Sequence, residues 1–485
     1  MPPYKRLIIS CDGTWLDSNS GIRNYSLFGT NEKVAIPSNI TRLCRALLPE
    51  SRGGVQQIVF YQSGVGSTGG LFGHLSGIFG HGLGENIRQA YTFICNNYQE
   101  GDEIFLVGFS RGAFIARSIG SLISSIGILT RSGLGAFYPI FKDWENQNIP
   151  GYTPKLETHS WPLRHRPVFQ AGSKHYWHRL VDAGLSGPAI PAIKAIGVFD
   201  TVGSLGVPTI KLFKIPVYMH STREYAFTNT EVPPNVEYAF QALALDERRA
   251  PFSPTVWESP KPGSGAVLLR LRQCWFLGAH SGVGGGYEDT SSSDITLAWM
   301  ITQLSPFLAF DRSYIQRQRE QNVEFYHRKR VRVLSWAMGL LQASDTKLYS
   351  TITGKQIRTP GEYCVTDPIT GETTDQRLTD TCEFIHSSVR YRIRHKGAAL
   401  VKSADDYDIM DKTLYQPEAL RDFRYIRNAK ADRYGGEYWR GYEKWVKRNP
   451  DGTVTWIVED TIEPETAEMD LLKGWSRSRS EKRRR

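Results

Sequence analysis

The sequence predicts an α/β protein, a mostly parallel sheet covered by helices, with an inserted cap and a smaller C-terminal region. Three observations lead there. Short apolar, β-branched runs alternate with helical patterns over brief connections, which is how a parallel sheet with both faces covered is built. Each run stops abruptly at a polar or glycine-rich turn, where such sheets present reactive groups. Finally, the 485 residues exceed what one hydrophobic core usually holds, roughly 250 to 300. We therefore expect a catalytic domain over residues 1–310, with a cap inserted at about 130–194. A C-terminal region over 311–472, without interpretable motif or repeat, and a basic tail over 473–485 complete the chain.

The elements follow in order. Arg6 to Ser10 reads as a buried strand ending at Asp12-Gly13-Thr14. A helix is expected near Ser38 to Leu48, capped by Ser38 or Asn39, because Ile40, Leu43, Leu47 and Leu48 share a face. A second strand, Gln57 to Tyr61, opens into a glycine-rich loop from Ser63 to Gly84. Helical spacing of Ile87, Ala90, Tyr91 and Ile94 marks a helix over Glu85 to Tyr98. The strand Glu103 to Val107 runs straight into Gly108-Phe109-Ser110-Arg111-Gly112 and a helical run from Ala113 to Ile126. From Thr130 to Lys194 the composition turns to Pro, Trp, His and Tyr without clean periodicity, the mark of an insertion between core strands. The sheet resumes at Ala195 to Phe199, ending on Asp200, and again at Gln273 to Leu277, ending on Gly278-Ala279-His280. A helix over Asp294 to Leu304 closes the core.

Composition narrows the function classes. Hydrophobic residues at 40% and charged residues at 22% suit a globular chain rather than a disordered one. The net charge of +10 is concentrated: Lys473 to Arg485 holds seven basic residues and one acid, so this tail carries +6. The remainder is nearly balanced, which argues against nucleic acid as a partner. Such a tail reads first as a solvated, mobile arm, with nuclear import and anchoring to anionic lipid as alternatives. Six scattered cysteines without a C-x-x-C pair suggest reduced thiols. The N-terminal apolar run is too short for a signal peptide, and no stretch reaches the ~18 apolar residues of a membrane span. A cytoplasmic protein is expected, with any membrane contact peripheral.

The chemistry centres on Gly108-x-Ser110-x-Gly112. A nucleophile elbow needs small residues two positions either side of a serine held between strand and helix, and both flanks are present here. The fold expectation therefore sharpens to an α/β-hydrolase-like sheet; the alternative is a Ser/Gly helix-capping turn. A serine hydroxyl needs a base and the base an acid, in the chain order Ser, Asp or Glu, His. Asp200 and His280 occur in that order at strand ends. Asp246 is the rival acid, but its setting, Leu243-Ala244-Leu245-Asp246-Glu247-Arg248-Arg249, looks helical and charged and favours a structural role. For the oxyanion hole, the backbone of Arg111 at a helix N-terminus is one expected donor, and Gly13 or Thr14 the other. Asp12 either pins that loop or caps a turn.

Two patterns lead elsewhere. Gly64-Val65-Gly66-Ser67-Thr68-Gly69 follows a strand as a dinucleotide fingerprint would, but no helix opens at its third glycine. Asp12-Gly13-Thr14 is reminiscent of aspartate-nucleophile phosphatases, but the nucleophile position holds Ser10. No metal-ligand spacing occurs among the histidines and cysteines; His74 and His81 read as polar loop residues, and neither metal nor cofactor is expected.

Together, Cys11-Asp12-Gly13-Thr14-Trp15, Tyr61-Gln62-Ser63-Gly64-Val65-Gly66, Gly108-Phe109-Ser110-Arg111-Gly112-Ala113, Phe199-Asp200-Thr201-Val202, Ala244-Leu245-Asp246-Glu247-Arg248 and Ala279-His280-Ser281 resemble a known family. It is the uncharacterised α/β-hydrolase domain that also forms the catalytic part of type VI secretion phospholipase effectors. The resemblance covers roughly residues 5 to 305. It implies a triad of Ser110, Asp200 and His280 and esterase or phospholipase A chemistry on lipid esters. One departure stands out: the family usually carries an aspartate after His-Ser, where this chain has Gly282. The competing expectations are a catalytically silent scaffold and a phosphate-ester hydrolase. Leu71-Phe72 and Ile78-Phe79 would touch lipid or cover the pocket, or simply pack within the loop.

Overall fold

Among the described residues, ten strands form one sheet, and their order decides which loops meet. The computed structural model describes residues 4–13, 22–24, 32–34, 36–64, 82–147, 152, 175–202, 210–212, 215–217, 230–344, 354–367, 373–401, 413–427 and 443–482. The strands are β1 (Arg6–Cys11), β2 (Gln57–Gln62), β3 (Glu103–Phe109), β4 (Ile193–Phe199), β5 (Val236–Ala244), β6 (Arg270–Phe276), β7 (Glu383–His386), β8 (Arg424–Ile426), β9 (Lys444–Arg448) and β10 (Val454–Asp460). Across the sheet they run β8-β9-β10-β7-β6-β5-β4-β3-β1-β2. Among the described residues, every pairing from β2 to β10 is parallel, while β9 at the far edge pairs antiparallel with both β10 and β8. This is the mostly parallel α/β sheet that the alternation predicts.

The central strands read as unbroken apolar runs because both faces are covered. In β3, Ile104 and Leu106 point to one core, while Phe105, Val107 and Phe109 point to the other. The first face is covered by α2 (Leu83–Asn97), α3 (Arg111–Ile126), α4 (Phe137–Glu145) and α5 (His175–Asp182). The second is covered by α1 (Asn39–Ala46), α6 (His280–Gly284), α7 (Ser291–Leu304) and α8 (Ser313–Arg328). Ser38 caps α1 by accepting the Thr41 N–H, as its position suggests.

One expectation changes. The Leu243–Arg249 stretch is not helical: Ala242, Leu243 and Ala244 end β5, buried between β4 and β6. Alanine and leucine favour helices intrinsically, but tertiary burial overrides that preference. The smaller C-terminal region beyond residue 310 adds β7 to β10 to the same sheet, and its Ile385, Trp445 and Ile457 join the second core. Asp460 locks this junction, accepting Trp299 Nε1–H at 2.8 Å and pairing with Arg272. A last helix, α9 (Ala467–Lys482), runs into the basic tail.

Within the expected cap, Ile140, Phe141 and Trp144 of α4 and Tyr176 and Leu180 of α5 are buried on the α3 face. Residues 153–174 of that insertion lie outside the described residues, as do residues 65–81 with His74, His81, Leu71-Phe72 and Ile78-Phe79.

Candidate active site

The turn from β3 into α3 holds Ser110 at φ 60°, a left-handed value that non-glycine residues rarely adopt. Its neighbours explain the pattern of small residues. A Cβ on Gly108 would stand 2.3 Å from the Gly112 carbonyl oxygen, and one on Gly112 would stand 2.1 Å from the Cys11 carbonyl oxygen. Two strands and a helix meet there with no space for a side chain. The Ser110 N–H donates to the Phe199 carbonyl at 3.0 Å, tying the elbow to the end of β4.

Asp200 follows β4 directly, also with positive φ, at 40°. His280 is the first residue of α6, just past β6. Because β3, β4 and β6 run the same way, their carboxyl ends bring these residues together. Ser110 Oγ lies 2.7 Å from His280 Nε2, and His280 Nδ1 lies 2.6 Å from Asp200 Oδ2. A carboxylate only accepts, so Nδ1 carries the proton and Nε2 is left to accept from the serine hydroxyl. Phe109 and Phe252 pack on the imidazole at centroid distances of 4.7 and 4.9 Å.

Asp200 is wholly buried, Arg358 is 3% exposed, and the guanidinium grips the carboxylate at both oxygens, 3.1 Å to Oδ1 and 3.2 Å to Oδ2. The Ala244 N–H adds a bond to Oδ1 at 2.9 Å. Burial alone would raise the carboxyl's proton affinity, but the charge of Arg358 and the bond to His280 hold it down to about 2.

Two of the residues expected at the oxyanion hole, Arg111 and Gly13, lie beside Ser110. Arg111 opens α3, where backbone N–H groups and the helix dipole favour negative charge. Gly13 does lie beside the serine, its Cβ direction 3.2 Å from Ser110 Cβ, but its N–H donates to Asp12 Oδ1 at 2.7 Å and is not presented to an incoming oxygen. Thr14 lies outside the described residues. Asp12 pins the loop: its Oδ2 accepts from Ser38 Oγ at 2.6 Å, Tyr61 OH at 2.8 Å and Thr41 Oγ1 at 3.1 Å. Burial pushes its carboxyl up to about 6 against the pull of those donors.

Asp246 does not reach His280. Its Oδ2 accepts the Gly278 N–H and the Tyr415 hydroxyl, each at 2.7 Å, which joins the ends of β5 and β6 to the C-terminal segment. The neighbouring Glu247, which sequence reasoning passed over, takes the His280 backbone N–H at 3.2 Å. Arg358 was also missed, and no local pattern marks it. Glu247 sat inside a quoted motif, one position from the residue considered.

Residues 5–303 match the family model described as T6SS, phospholipase effector Tle1-like, catalytic domain. The chain belongs to that family. The Tle1-like match ends at residue 303, so Arg358 lies beyond it. A curated relative, the uncharacterized protein YEL023C of Saccharomyces cerevisiae, is 28% identical over 233 residues, covering 44% of this chain and 29% of the yeast protein. The chain thus spans less than a third of that relative's length. A crystal structure of an uncharacterized protein from Pseudomonas aeruginosa aligns at 15% identity and a TM-score of 0.28, over 62% of this chain and 45% of that one. Among the described residues, no helix is long and apolar enough to cross a membrane.

Proposed function

We propose that this Tle1-like chain is a serine esterase that hydrolyses lipid or phospholipid carboxylic esters through an acyl-enzyme on Ser110. The observation that carries the reading is the unbroken relay from Ser110 Oγ through His280 to Asp200 at a strained elbow. Ser110 attacks the ester carbonyl while His280 Nε2 takes its proton, and Asp200 stabilises the imidazolium. The Arg111 N–H at the head of α3 meets the developing oxyanion. His280 then returns its proton to the leaving alcohol, and water repeats the cycle on the acyl-enzyme. The family's phospholipase description supports a lipid ester as substrate, reached by peripheral contact with a membrane surface.

One observation favours a catalytically silent scaffold instead: the Gly13 N–H is engaged by Asp12 rather than offered to a substrate. A fluorophosphonate probe separates the two readings. The active enzyme labels, and Ser110→Ala and His280→Ala do not; a panel of phospholipids assayed for released fatty acid then defines the ester. Wild-type protein that resists the probe, or lipid turnover that survives Ser110→Ala, would sink the proposal.

A further inference from the structure

The relay leaves a physical problem at its buried end. His280 must be neutral at rest to accept a proton, so Asp200 has to be an anion with no solvent contact and an uncharged neighbour. An isolated carboxylate in such a place tends to take up a proton. A protonated Asp200 would no longer enforce the Nδ1–H tautomer on which the serine's hydrogen bond depends.

Arg358 supplies what is missing. Its fork meets both carboxylate oxygens, and Nη2 also donates to the Phe252 carbonyl at 2.6 Å, which fixes the plane of the guanidinium. The ring of Phe252 in turn packs edge-on against His280. The strand-like segment carrying Arg358 is anchored to the loop after β5, where the Gln356 N–H donates to the Arg248 carbonyl at 2.9 Å. One loop therefore holds Arg358, and through Phe252 and Glu247 it also touches the ring and main chain of His280.

We infer that Arg358 is a positioning residue for the proposed reaction, clamping Asp200 as an oriented carboxylate and making a segment beyond the matched catalytic domain part of the machinery. The inference rests on the serine-hydrolase reading. An arginine is suited to the task because its planar fork matches a carboxylate at two points, while lysine offers only a point charge.

The test is the second-order rate of fluorophosphonate labelling as a function of pH, measured on the full chain. In Arg358→Gln the Asp200–His280 relay loses the cation that opposes its taking up a proton, so the acidic limb of the profile moves up by about one to three pH units. In Arg358→Lys the charge remains and the fork is lost; the midpoint stays within about half a unit while the rate falls on the order of tenfold. A purely structural role would lower the amount of active protein without moving the midpoint. An Arg358→Gln midpoint equal to that of the wild type overturns the inference, and if that variant cannot be purified, a wild-type labelling rate in Arg358→Lys does so. Failure of the wild type to label at all would remove the hydrolase reading itself, which keeps the two failures apart.

Discussion

Glu247 accepts the backbone N–H of His280 at 3.2 Å, so two carboxylates hold this residue, Asp200 by its ring and Glu247 by its main chain. Glu247 is itself deeply engaged. It takes three bonds from the backbone and guanidinium of Arg249 and one from Ser344 Oγ at 2.7 Å. Burial opposes its charge, but Arg249 pulls the carboxyl down to about 2. Glu247→Ala strands these donors around an empty site and should cost about 3–5 kcal/mol by denaturant unfolding. The surviving folded fraction should label slowly because α6 is no longer anchored. Wild-type stability in this variant would show that the contact does not hold His280.

The elbow yields a prediction from space alone. Gly112 and Gly120 both lie in α3, and helix propensity favours alanine at either. At Gly112 the new Cβ meets the Cys11 carbonyl at 2.1 Å, rigid backbone of β1. At Gly120 its closest neighbour is Ile196 Cδ1 at 2.9 Å, the tip of a side chain that can turn away, with Leu106 and Ile193 in ordinary contact. Gly112→Ala should therefore yield no soluble, labelled protein, while Gly120→Ala should cost less than about 2 kcal/mol. Equal thermal midpoints for the two variants would contradict this account.

How much of this was legible beforehand depended on how local each signal was. The strand Glu103–Phe109 and the elbow after it were readable because continuous burial leaves an unbroken apolar run, and the turn admits only glycine on either side. Ser110, Asp200 and His280 could be placed because each closes a core strand. β5 escaped because Ala-Phe-Gln-Ala-Leu-Ala carries no alternation and its residues favour helices. Arg358 escaped for a different reason. Its partner lies 158 positions away, and a lone arginine in Gly354-Lys355-Gln356-Ile357-Arg358-Thr359-Pro360 carries no mark of burial.

The C-terminal helix carries its own pH signature. His386, at the end of β7, lies 3.0 Å from Glu468 Oε1 of α9, and both are buried. Burial lowers His386 from its ordinary 6.5 to about 3 and raises Glu468 from 4.5 to about 8, so both are neutral near pH 7. Between pH 3 and 6.5 the unfolded histidine binds the extra proton, which makes stability rise with pH. Between 4.5 and 8 the folded glutamic acid binds the extra proton, which makes stability fall. The two slopes cancel from 4.5 to 6.5, leaving a plateau and then a decline of about 1.4 kcal/mol per pH unit up to pH 8. Urea unfolding across pH should show that decline in the wild type and lose it in Glu468→Gln. A decline that persists in the variant would mean another group is responsible.

Gly282 follows His280-Ser281 directly, and its surroundings say what an acid placed there should do. It lies in the short helix α6, with its φ outside the left-handed region, so a side chain needs no backbone change. The nearest atom to its Cβ direction is Ser292 Oγ at 3.4 Å, an ordinary contact with a hydroxyl that can donate to a carboxylate. Gly282→Ala should raise stability by about 0.5–1 kcal/mol through the entropy of the unfolded chain. Gly282→Asp should fold and keep the relay, because the new carboxylate projects toward α7 rather than toward the imidazole, where Asp200 already holds Nδ1. The labelling rate of Gly282→Asp should therefore stay within about threefold of wild type, half a kcal/mol or so in activation free energy. A gain or loss of a hundredfold would show that this position acts directly on His280, and that the glycine alters the chemistry itself rather than the helix that carries it.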